Sequence, residues 1–76
     1  MTFPITINSI EDARRINEFA ANYDGKSEIH SSLVFIDARS LLGLIALIGK
    51  QDLRLVFGDH SDPNKVMTAL EKSGLI

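Results

Sequence analysis

The segment KSEIHSSLVFIDARSLLGLIALIG, residues 26–49, changes its hydrophobic period midway, and that change decides the fold. Its first half alternates in short runs and predicts two strands, about 27–31 and 33–37, joined by a tight connection near Ser31–Ser32. No Asn-Gly or Asp-Gly pair marks the turn type. Leu33 to Ile36 are consecutive apolar residues, so a strand there places two of them on each face. Its second half predicts a short helix, about 40–48, capped by Ser40 or Asp37. Leu41, Leu44, Ile45 and Ile48 share one helical face, Gly43 weakens the helix and Gly49 ends it. Nine of the eleven residues from Arg39 to Gly49 carry no polar side chain, yet the run is well short of the roughly 20 residues that span a bilayer. It must be buried in protein, pressed on a partner, or both.

Outward from that segment the elements alternate. TFPITIN (2–8) predicts a half-buried strand with Phe3, Ile5 and Ile7 inward, and Pro4, which has no N–H to donate, assigns it to a sheet edge. NSIEDARRINEFAANYDG (8–25) predicts a helix with Ile10, Ala13, Ile16, Phe19, Ala20 and Tyr23 in one stripe. Ser9 is its N-cap, Asp12 completes a weak capping box, and Gly25 is the expected left-handed terminator. DLRLVFG predicts a strand over 53–58 with Leu53, Leu55 and Phe57 inward. In SDPNKVMTALEKSGLI, Asp62 caps a helix that has Pro63 in its first position. Val66, Met67 and Leu70 are expected to pack there, and Gly74 lets Leu75 and Ile76 fold back. The order β-α-β-β-α-β-α, with two crossovers and a hairpin, predicts one α+β domain over residues 1–76: a four-stranded antiparallel sheet with three helices on one face.

Composition limits the function. At 76 residues with no cysteine, stability has to come from a compact apolar core, for which a 45 % hydrophobic content suffices. A formal charge of −2 gives no electrostatic reason to bind nucleic acid or an anionic membrane. No basic segment followed by an apolar run opens the sequence, so a signal peptide is not expected and the cytoplasm is the expected compartment. His30 and His60 have no third ligand nearby, so no metal and no cofactor are expected. No nucleophile–base or acid pair stands out, so an enzyme is not expected either.

The element order, together with ARSLLGLIAL (38–47) and EFAANYDGKSEI (18–29), resembles HPr, the histidine-containing phosphocarrier protein of the bacterial sugar phosphotransferase system. The likeness runs over nearly the whole chain and is strongest at Ser40-Leu41-Leu42-Gly43-Leu44, which follows the family's serine-plus-apolar pattern. The resemblance implies an open-faced sandwich whose first and third strands are edges. It also implies protein partners of the phosphotransferase or carbon-regulation system, docked on a solvent-facing patch of Leu41, Leu42 and Ala46. Ser40 becomes a candidate for regulatory phosphorylation, beyond its role as a cap.

The family's His-x-Arg-Pro motif is altered. Asp12 stands at the phosphoacceptor histidine, Arg14 keeps the arginine and Arg15 replaces the proline. The expected protein is therefore a non-catalytic regulatory or docking relative. Asp12 is read first as a charge that complements the helix dipole. It can also be read as an acyl-phosphate acceptor, or as a permanent imitation of a phosphorylated side chain. Two alternatives remain open: a phosphocarrier using a non-standard residue, and a small dimeric α+β regulatory module, although NSIEDARR has no glycine for an effector loop. The apolar run Leu33–Ile36 on an edge strand adds the expectation of a weak homodimer.

Overall fold

The computed structural model describes residues 1–58 and 61–75. Its elements are β1 (Thr2–Ile5), α1 (Ile10–Asn22), β2 (Ser27–His30), β3 (Phe35–Asp37), α2 (Leu41–Ala46), β4 (Leu53–Phe57) and α3 (Pro63–Lys72). The strands form one antiparallel sheet in the order β1-β4-β2-β3, so β1 and β3 are the edges. Pro4 sits on the edge strand opposite Arg54, where a missing N–H costs the sheet nothing.

Alternation along the strands sorts the sheet into two faces. Phe3, Ile29, Ile36, Leu53, Leu55 and Phe57 turn inward, where Ala13, Ile16, Phe19 and Ala20 of α1, Leu44 of α2, and Val66 and Leu70 of α3 complete the core. Aromatic rings fill one end of it. Phe19 stacks on Tyr23 with centroids 5.4 Å apart, and Phe57 meets Phe3, Phe19 and Tyr23 edge-on. The other face carries Thr2, Pro4, Glu28, His30, Phe35, Asp37, Arg54 and Val56, and among the described residues no helix covers it.

Several boundaries differ from the sequence expectation, each for a local reason. β3 begins at Phe35 rather than Leu33 because the Ser31 hydroxyl accepts from the N–H groups of both Leu33 and Val34. With Ser31 N–H donating to Val34 O, this moves the hairpin tip to Ser32–Leu33. α1 ends at Asn22, and Gly25 is not left-handed. Its role is space: a Cβ there would lie 2.7 Å from Cε2 of the Tyr23 ring. α2 is helical only to Ala46, after which Leu47 and Ile48 make tighter turns onto Leu44 O and Ile45 O. Gly49 then turns left-handed at φ 81°, and its N–H reaches Ile7 O.

Two side chains assigned to the core are outside it. Ile10, in the first turn of α1, and Met67, in α3, are both exposed. The cap of α3 is as expected, with Asp62 accepting from Asn64 N–H, and Gly74 terminates the helix so that Leu75 packs on the core. The expectations for His60 and Ile76 lie outside the described residues. Among the described residues, no helix is long and apolar enough to cross a membrane.

Candidate functional site

Two helix starts carry the residues singled out by the sequence. At the first, Ser9 has an extended backbone and its hydroxyl accepts from Asp12 N–H at 3.2 Å. Asp12 answers by accepting from Asn8 N–H at 2.9 Å through Oδ2, one residue earlier than in the usual reciprocal box. Its carboxylate is thus held at the positive end of α1, where a negative charge is favoured. Asp12 and Arg15 line a depression of about 370 Å³ together with Thr6, Gly74 and Leu75. The arginine that shares this space with Asp12 is Arg15, whereas Arg14 is exposed elsewhere on α1. The resemblance pointed to Arg14 through its His-x-Arg-Pro motif, which says nothing of the C-terminal turn that Arg15 shares with Asp12.

At the second helix start, strand β3 runs into a tight turn. Asp37 accepts from Arg39 N–H at 2.9 Å through Oδ1, and Ser40 N–H donates to Asp37 O. Of the two expected caps Ser40 is the one that holds α2, accepting from Gly43 N–H at 3.2 Å. Asp37 instead shapes the turn ahead of it. Ser40 is exposed, so its hydroxyl is accessible while it caps.

Gly43 has a reason the sequence did not disclose. A Cβ there would lie 2.6 Å from Cγ2 of Ile36 and 3.1 Å from Ser40 Oγ. Its absence lets the first turn of α2 press against the edge strand. α1 and α2 are joined by Asn17, whose side-chain amide donates to Arg39 O at 2.9 Å. This bond fixes the turn carrying Ser40 against the middle of α1. A lone asparagine in a helix gives no sign of such a partner.

The apolar run of α2 divides as its spacing requires. Leu44 and Leu47 are buried and Leu41, Ile45 and Ile48 are half-buried against the core. Leu42 is 81 % exposed, and Ala46, one turn further, is exposed with it. Of the expected patch, Leu42 and Ala46 are on the surface and Leu41 is partly turned inward. Among the described residues no three His, Asp or Glu side chains converge as a metal site would require. Comparison with known proteins finds no matching family model, no matching curated protein and no matching solved structure.

Proposed function

We propose that the chain is an HPr-like docking or regulatory protein of the phosphoenolpyruvate-dependent sugar phosphotransferase system, one that relays no phosphate through histidine. The observation that carries this reading is Leu42. A leucine 81 % exposed, two residues after the Ser40 cap, buries little surface within the chain itself and is suited to a partner's apolar pocket. The strand order supports the reading, because both edges fall where the resemblance puts them. The Asn17–Arg39 bond supports it too, because it holds the Ser40 turn against α1, whose start bears Asp12.

Asp12 takes the place of the phosphoacceptor. Its Oδ2 is engaged by Asn8 N–H, which lowers its power as a nucleophile and favours a structural charge over an acyl-phosphate acceptor. Ser40 is the modifiable group. A phosphate on its Oγ would sit at a helix start, where negative charge is tolerated, beside the Leu42 patch that it would regulate.

Two incubations followed by intact mass measurement test the proposal. With phosphoenolpyruvate and the general phosphotransferase kinase, the chain keeps its unmodified mass. With a bifunctional serine kinase of the system it gains one phosphate, and Ser40→Ala gains none. Stoichiometric phosphate on Asp12 or a histidine in the first incubation overturns the docking-only reading. No modification under conditions that modify an HPr leaves Ser40 as a cap alone.

A further inference from the structure

We propose that the groove between α1 and α3 binds a small zwitterion with an apolar body, an apolar α-amino acid or a dipeptide, held with its ammonium toward α1 and its carboxylate toward α3. This surface carries neither Ser40 nor Leu42 and is independent of their function.

The strand order brings the two helices together. β1 and β4 are antiparallel neighbours, and α1 and α3 each run back from one of them, so the end of α1 lies beside the start of α3. Between them is a groove of about 600 Å³, within the range of about 300–1,000 Å³ common to small-molecule sites. Its floor is apolar, made of the stacked Phe19 and Tyr23 rings and Ala69. Lys65, Thr68 and Lys72 recur at helical spacing and form the α3 wall. Glu18 and Asn22, four residues apart, form the α1 wall, which Asp24 extends.

Three features of this lining select the occupant. The charges are separated by wall, with Glu18 and Asp24 on the α1 side and Lys65 and Lys72 on the α3 side. They balance, so a plain anion or a plain cation gains at one wall what it loses at the other, whereas a molecule with both charges is matched at both. Nor do the two walls pair with each other. Among the described residues the one ion pair within 4.0 Å is that of His30 with Glu28, on the sheet. The third feature is Tyr23, which is only 9 % exposed. A buried tyrosine ring normally has a partner for its O–H. Here no described residue bonds to the hydroxyl, and it is not sealed from solvent as the unpartnered Ser27 Oγ is. It is left to donate to a carboxylate or to accept from an ammonium in the groove that the ring lines. An open groove and a small ligand give millimolar affinity.

Titration of the isotope-labelled protein with L-phenylalanine, and separately with L-phenylalanyl-L-alanine, followed by nuclear magnetic resonance, tests the proposal. Saturable shifts are expected at Asn22, Tyr23, Lys65 and Thr68, and binding of either ligand alone identifies the source and sustains the proposal. N-acetyl-L-phenylalanine, which lacks the ammonium, and L-phenylalanine amide, which lacks the carboxylate, should each bind more weakly than the parent. Glu18→Gln and Lys72→Gln should each weaken binding by about two- to fivefold, as expected for exposed charges. Tyr23→Phe should keep the thermal transition of the wild type, because the hydroxyl has no partner in the chain, while weakening binding by a similar factor. The proposal is overturned by an absence of saturable shifts in the groove with both ligands, by derivatives that bind as well as their parent, or by a Tyr23→Phe protein that loses stability and binds unchanged.

Discussion

Replacing Gly43 with alanine places the two main influences on α2 in direct opposition. Alanine is the better helix former, and in an exposed helix interior the exchange stabilises by about 1 kcal/mol. Here the added methyl would sit 2.6 Å from Ile36 Cγ2, whereas carbon atoms favour separations of about 3.5–4.0 Å. Relief requires α2 to move outward by about 1 Å, or Ile36 to leave its preferred rotamer, and overpacking of this kind costs about 1–3 kcal/mol. The movement also stretches the 3.2 Å bond between Ser40 Oγ and Gly43 N–H. The net result is a loss of about 1 kcal/mol, seen as a transition about 4–8 °C lower for a domain of this size. Urea and thermal unfolding followed by circular dichroism measure it. Ile36→Ala supplies the control, because it removes the methyl that Gly43→Ala strikes. The double variant should be more stable than the sum of the single losses by about 1 kcal/mol. A Gly43→Ala protein more stable than wild type, or strictly additive losses, would refute the close contact between α2 and β3.

The remaining substitutions sort side chains by what they touch. Ser40→Ala removes the cap of α2 and should cost about 1 kcal/mol in urea unfolding while the circular dichroism spectrum stays that of the wild type. Leu44→Ala empties a fully buried position and should cost about 2–5 kcal/mol, enough to unfold much of so small a domain. Leu42→Lys, two residues away on the exposed side, should change stability by less than about 0.5 kcal/mol while abolishing partner binding; a large loss of stability would place Leu42 in the core.

The elements that sequence reading located best were those whose signals are local. The Ser9 and Asp62 caps, Pro63 in the first turn of α3 and the alternation of Leu53, Leu55 and Phe57 each depend on neighbours a few residues away. The edge position of β1 was legible because Pro4 lacks a donor. What the sequence concealed depends on contacts between distant segments. Gly25 reads as a helix terminator until the Tyr23 ring is seen lying over it, and Gly43 reads as a weak helix residue until Ile36 is placed beside it. The Ser31 hydroxyl draws Leu33 and Val34 out of the strand, a competition that apolar patterning does not register. At the candidate site, Asp12 and Ser40 could be named from the sequence. Arg15 required the C-terminal turn at Gly74–Leu75 to define its company, and Asn17 required the turn before α2 to reveal its partner.

The proposed function requires a docking surface at Ser40, Leu42 and Ala46 that works without a phosphoacceptor. Titrating the isotope-labelled protein with the general phosphotransferase kinase and phosphoenolpyruvate, with nuclear magnetic resonance and intact mass read on the same samples, tests both halves together. Shifts are predicted to concentrate at Ser40, Leu42 and Ala46, to vanish in Leu42→Lys, and to occur with no gain of mass. Transfer of one phosphate to the chain, or an absence of shifts at every concentration of the kinase, would contradict the account.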